Sequence, residues 1–145
     1  MNEMFVMIDE KELQRMYVQL QVMKKQLNEM MEQKMMIEQK INETMETINS
    51  ANHIRKVNKG QEMWTSLGST LHVKSKIEDT ENVAIGIGAG IVAKKTIDEA
   101  LQILEKRLNE LVDINNQMSD EINSYSKKIN QTEEKFQTMA KQFNK

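Results

Sequence analysis

Gly86-Ile87-Gly88-Ala89-Gly90 is the segment of this 145-residue chain that comes nearest to chemistry, because glycine-rich loops can bring backbone amides onto a phosphate. Its spacing departs from G-x-G-x-x-G, no helix start with free amides follows it, and no P-loop lysine accompanies it, so it reads as a hairpin turn. His53 and His72 fall on different elements without clustered acids beside them, which makes neither a catalytic pair nor a metal site. Glu78, Asp79 and Glu81 form a short acidic turn that lacks the ligand alternation of a calcium loop. With no cysteine and two histidines, thiol chemistry is excluded and a zinc site would need carboxylates at a spacing the chain does not have. Arg55, Lys56 and Lys59 stand at the end of a helix, whereas a basic zipper sets its Arg/Lys segment ahead of the heptads, and cations at that place complement the dipole of a helix end. The expectation is a protein that is not an enzyme and uses no cofactor and no metal.

The apolar residues carry more information than the polar ones. One ladder steps by threes and fours through Leu13, Met16, Leu20, Met23, Leu27, Met30, Lys34, Ile37, Ile41, Thr44, Ile48 and Ala51. A second runs through Ile97, Leu101, Leu104, Leu108, Leu111, Asn115, Met118, Ile122, Tyr125, Ile129, Thr132, Phe136, Met139 and Phe143. Of these 26 positions 22 are apolar, whereas a chain that is 39% hydrophobic would place about 10 there by chance. Two heptad seams follow, and two helices that fold against each other as an antiparallel coiled-coil hairpin. Pairing positions whose numbers sum to 148 or 149 sets Ala51 beside Ile97, Ile48 beside Leu101 and Lys34 beside Asn115. Either that polar pair fixes the register, or Lys34 reaches solvent and Asn115 is merely tolerated.

Helix one is predicted from Asp9, with Asp9 and Glu12 as a capping box and Ile8 and Leu13 as a staple, to about residue 59, with Gly60 available for the left-handed turn beyond. Helix two is predicted over 96–143, with Thr96 and Glu99 as its capping box. Between them, residues 60–95 change to a period of two. Leu71, Val73, Ser75 and Ile77 alternate with polar residues, Glu62 to Leu67 precedes them across a Gly68-Ser69 turn, and Val83, Ile85 and Ile87 reach Ile91 across Gly88-Ala89-Gly90. Two consecutive β-hairpins follow, with Trp64 packed on the inner face of the first. The whole is expected to be one domain, 1–145, mostly α with a small β part, in which the β-hairpins sit at the base of a long coiled-coil hairpin. Four short strands leave open edges, so they should pair with other subunits.

The absence of proline, the five glycines and the 29% of charged residues of both signs suit long solvated helices. A net charge of −2 gives no reason to expect a nucleic-acid or anionic-membrane partner. The longest apolar run, Val83 to Ala93, is too short to cross a bilayer, and the N-terminal residues lack the features of a secretory signal, so a cytoplasmic location is expected. Methionine is abundant, with 13 copies, and Met35 and Met36 fall at b and c positions that a two-helix hairpin exposes. In the same register Phe5, Val6 and Met7 approach Phe136, Met139 and Phe143, a group of large apolar side chains for which the chain supplies no further partner.

Helix, two hairpins and helix, with these strands, resemble the prefoldin alpha subunit family of the archaeal type. The resemblance rests on Leu67-Gly68-Ser69, Val73-Lys74-Ser75-Lys76-Ile77, Asp79-Thr80, Asn82-Val83 and Ile87-Gly88-Ala89-Gly90-Ile91-Val92, leading into Thr96-Ile97-Asp98-Glu99-Ala100. Ser66 and Lys94 depart from residues frequent in relatives. The resemblance implies a hetero-oligomer of two alpha and four beta subunits whose hairpins contribute to intersubunit β-barrels, and an ATP-independent holdase that captures unfolded client polypeptides and delivers them to a group II chaperonin. Phe5, Val6, Met7, Phe136, Met139 and Phe143 are the candidates for client binding. Trp64, Leu67, Leu71, Val73, Ile77, Val83, Ile85, Ile87 and Ile91 are those for assembly. The competing reading is a structural coiled-coil tether or spacer whose β-hairpin module dimerises.

Overall fold

The computed structural model describes the backbone of residues 2–144 and the side chains of residues 10–144. Its elements in chain order are α1 (Asn2–Lys56), β1 (Glu62–Ser66), β2 (His72–Lys76), β3 (Asn82–Gly88), β4 (Ile91–Thr96) and α2 (Ile97–Phe143). They form two compact units, Met1–Gln39 with Asp113–Lys145, and Lys40–Val112.

α1 runs 55 residues without glycine or proline, on Met, Leu, Glu, Lys and Gln, which lose little rotamer freedom in a helix. It starts at Asn2, ahead of the expected Asp9, because nothing between Met4 and Ile8 stops propagation. Asp9 and Glu12 therefore stand inside the helix rather than at its cap. The cap of α2 is as expected: the Glu99 amide donates to Thr96 Oγ1 at 3.2 Å, and the Thr96 amide donates to Glu99 Oε2 at 3.1 Å. Two of the polar ladder residues are satisfied within their own helix. Thr44 Oγ1 donates to the Lys40 carbonyl at 2.7 Å, and Thr132 Oγ1 to that of Lys128 at 2.9 Å.

In the first unit, the Tyr17 and Phe136 rings lie 6.1 Å apart and Tyr125 Oη donates to Gln26 Oε1 at 2.7 Å. These pairs sum to 153 and 151, so the seam layers between them sum to 152. Leu20 and Ile129 are its most buried side chains. The expected sums of 148 or 149 are corrected, for a geometric reason. In an antiparallel pair a step of three along one helix must be matched by a step of three back along the other, which holds the sum constant and faces each a position with a d position. Alternation between 148 and 149 would have faced a with a and d with d. Lys34 consequently shares a layer with Met118, and Asn115 with Ile37. Lys34 turns its ammonium to the carboxylate of Glu38, one turn along, while Asn115 Oδ1 is buried without a hydrogen-bond partner. The two polar residues do not share a layer: Asn115 is tolerated in the seam, while Lys34 ends on Glu38 of its own helix rather than free in solvent.

In the second unit the core lies on α2, where Ile97, Ala100, Leu101 and Leu104 are buried, against half-buried Ile48, Ala51 and Ile54 of α1. Arg55 pairs with Asp98 across the same junction. β1 and β2 are antiparallel, as are β3 and β4, in two separate two-stranded sheets. The first hairpin closes through residues 67–71, with the Leu67 amide bonded to the Leu71 carbonyl at 2.8 Å, a longer loop than the expected two-residue Gly68-Ser69 turn. The second closes through Ala89 and Gly90, at φ 52° and 72°, the pair of left-handed residues that matches the twist of a tight hairpin. A bulge between Gly86 and Gly88 bends β3, and Arg107 of α2 donates to the Gly86 carbonyl beside it. Gly60, at φ 88°, lies beyond the end of α1 rather than closing it, and its amide bonds the Ile77 carbonyl at 2.7 Å, which extends the first ladder past β1.

Candidate functional site

The register of the first hairpin sorts its side chains. Trp64 pairs with Lys74 and Ser66 with His72, so Trp64 shares a face with Glu62, Lys74 and Lys76, while Met63, Thr65, Val73 and Ser75 point the other way. The expectation that Trp64 packs on an inner face is thereby corrected: it sits among the polar side chains and is 68% exposed. The alternation around Val73 had marked one face as wet, and only the cross-strand partner could show that Trp64 belongs to it. Thr65 and Ser75 join hydroxyls on the opposite face. In the second hairpin, Val83 and Ile85 with cross-strand partners Lys95 and Ala93 form the half-buried face, and Val92 stands exposed on the other.

Of the residues expected to serve assembly, Trp64, Leu67, Leu71, Val73, Ile87 and Ile91 are exposed, whereas Ile77, Val83 and Ile85 are half-buried. Met63 is exposed on the same face as Val73, and Val92 is a further exposed apolar residue of the second hairpin, just beyond the stretch assigned to assembly. Each strand also has one edge with no partner among the described residues. Exposed apolar side chains beside unpaired backbone are the chemistry of strand addition, in which main-chain hydrogen bonds supply affinity and side chains supply selectivity.

The turn between the hairpins is held by Asp79. Its Oδ1 accepts the Asn82 and Glu81 amides at 2.9 Å each, and Oδ2 accepts the Asn82 side-chain amide at 3.1 Å. These donors, the Asn82 amide first, with the charge of Lys94 adding to them, hold the carboxyl below the usual carboxylate range. Every oxygen is thus used within the turn. Among the described residues no group of three His, Cys, Asp or Glu could hold a metal ion.

The first unit carries the other candidate surface. Phe136 and Met139 are half-buried and Phe143 is 41% exposed, while Phe5, Val6 and Met7 lie outside the described side chains. The structure adds Tyr17 and Val18, exposed at e and f positions of the heptad, which with Leu13, Gln14 and Phe136 line an apolar recess. The sequence pattern passed over them because they stand off the seam, although large apolar residues at such positions are themselves a signal. Met35 and Met36 are exposed as their heptad positions required, at 67% and 63%. No described helix is long and apolar enough to cross a membrane.

A family model described as prefoldin subunit matches residues 23–142. Prefoldin subunit alpha 2 of Thermococcus kodakarensis is 37% identical over 62 residues, 43% of this chain and 44% of that protein. Prefoldin subunit alpha of Methanopyrus kandleri is 33% identical over 72 residues, 45% of this chain and 46% of that one. The chain thus matches under half the length of these curated relatives. Among solved structures, a cryo-EM structure of filamentous PFD from Methanocaldococcus jannaschii superposes with a TM-score of 0.70 at 18% identity, covering 77% of this chain and 93% of the other. At that identity the likeness speaks for the fold: two long helices joined by two small antiparallel hairpins.

Proposed function

The chain belongs to the prefoldin family, and from that membership we propose that it is an alpha-type subunit of an ATP-independent holdase, assembled as two alpha with four beta subunits in the cytoplasm. The observation that carries this reading is the pair of two-stranded sheets that expose Trp64, Leu71, Ile91 and Val92 beside strand edges lacking partners among the described residues. A two-stranded sheet is at best marginally stable in water, and neighbouring subunits would supply the missing strands and close the hairpins into intersubunit β-barrels. Apolar side chains near the chain termini, Phe5, Val6, Met7, Phe136, Met139 and Phe143, would then hold unfolded polypeptide by distributed burial, each Å2 of apolar area contributing about 25 cal/mol. Several subunits acting together replace a deep pocket by avidity. Release to a group II chaperonin completes the role.

Mixing the chain with a prefoldin beta subunit and measuring mass in solution tests assembly. A heterohexamer is expected, and a homodimer indifferent to the beta subunit would favour a coiled-coil tether instead. Serine at all six terminal positions should leave assembly intact and abolish suppression of aggregation of a denatured client; unchanged suppression would overturn that assignment.

A further inference from the structure

The c and f heptad positions of α1 point away from the seam, where the hairpin itself has no use for apolar side chains. In the first unit they read Arg15, Val18, Val22, Lys25, Glu29, Glu32 and Met36, all exposed, with Val18 and Val22 at 59% each. The same positions of α2, from Asp113 to Lys141, hold no apolar residue, and their charges are mixed in sign. One outer face therefore carries large apolar groups without cover among the described residues, and the other does not.

The charges of the α1 face are segregated along the helix. Lys11, Arg15 and Lys25 come first, and Glu29, Glu32, Glu43 and Glu46 follow, without exception between residues 11 and 46. Lys25, Glu29 and Glu32 take part in no ion pair among the described residues. A face that is positive in its first half and negative in its second complements a copy of itself laid antiparallel, and repels one laid parallel. The register follows from the same constant sum that governs the seam, with each c position facing an f position. A sum of 54 sets Lys25 on Glu29, Val18 on Met36 and Lys11 on Glu43, each twice about a two-fold axis, with Val22 facing Glu32 and no like charges opposed. Slid one heptad to 61, the faces would set Glu29 on Glu32; slid to 47, they would keep no apolar pair.

We propose that the outer face of α1 is a docking surface for a second copy of this chain, which lies on it antiparallel in the 54 register. The contact is separate from the β-hairpins and from the terminal apolar cluster, and it does not rest on the holdase reading. Arms that share a direction cannot use it, so it joins copies that run in opposite directions. Three large apolar residues per copy make a small interface, and dimers are expected at about 10–100 μM.

Sedimentation of the full chain across that range tests the proposal. Lys25→Glu and Glu29→Lys should each weaken pairing about tenfold, since each turns two attractive contacts of the dimer into repulsive ones. Mixed together, the two variants should pair as tightly as the unaltered chain, because every charge then meets its opposite. Gln117→Lys, on the outer face of α2, should change pairing by less than about twofold. Association through the β-hairpins would add mass that is indifferent to these swaps. The chain has no cysteine, and Asn28 stands beside the expected two-fold axis, so Asn28→Cys should give a bis-maleimide cross-link between copies and Ser124→Cys should not. A mass independent of concentration, equal losses from Gln117→Lys, or a mixture of Lys25→Glu with Glu29→Lys no tighter than either alone would overturn the proposal.

Discussion

Asn115→Leu should make the protein more stable, and by an amount the structure sets. Asn115 Oδ1 is buried in the seam with no hydrogen-bond partner, because its layer-mate in the 152 register is Ile37, which offers none. Leaving a buried acceptor unsatisfied costs roughly 1–3 kcal/mol. The residue as a whole is half-buried, so leucine would also add about half the burial of a full side chain, ~1 kcal/mol, and a few tenths more from its better helix propensity. The working figure is ~3 kcal/mol. For a chain of this size each kcal/mol moves the midpoint by about 2–4 °C, so a rise of about 6–12 °C is expected. Thermal and urea unfolding followed by circular dichroism should be run at one fixed protein concentration, since assembly makes stability concentration-dependent. Asn115→Ala, which removes the carbonyl but adds little burial, should gain less than the leucine variant. An unchanged or lowered midpoint for Asn115→Leu would mean that the carbonyl has a partner in solution and that the layer assignment is wrong.

Other outcomes follow from the same geometry. Leu101→Ala, which empties a buried position of the second unit, should cost about 2–4 kcal/mol in a urea titration. Thr96→Ala removes the hydroxyl that caps α2 and should cost about 1 kcal/mol by the same measurement. Cysteines at positions 37 and 115 should oxidise to an intramolecular disulfide faster than cysteines at 34 and 115, and the reverse order would restore the 149 register. A carboxyl NMR titration should find Asp79 ionising below its usual value near 3.8. Because its folded value is depressed, its contribution to the turn is present above the unfolded value and is lost as pH falls through the folded one; Asn82→Ala should move the titration upward. Trp64 fluorescence should shift to the blue when beta subunit is added, if the first hairpin is covered on assembly.

Much of the fold was legible because it depends on local pattern. The heptad spacing dictated two helices, Thr96 with Glu99 dictated where the second begins, and the change of period between Gly60 and Lys95 dictated hairpins. The edges were less legible where no residue acts as a stop: α1 begins at Asn2, and the loop at Leu67–Leu71 is wider than its glycine suggested. The candidate surfaces were readable in part, since Val73, Leu71 and Ile91 announce themselves as apolar, whereas Tyr17 and Val18 were hidden by standing off the seam.

What the sequence alone determined is which residues lie on each seam and in each strand, because those are properties of one chain segment and its own periodicity. What only the tertiary structure decided is who faces whom. A ladder of near-identical apolar steps can be slid by one layer with little change in composition, so the 152 register, the separation of Lys34 from Asn115, and the company of Trp64 and Lys74 emerge only when two segments are set against each other. The physical reason is that burial is indifferent to partner, while steric alternation between a and d positions and the cross-strand pairing of β1 with β2 are not.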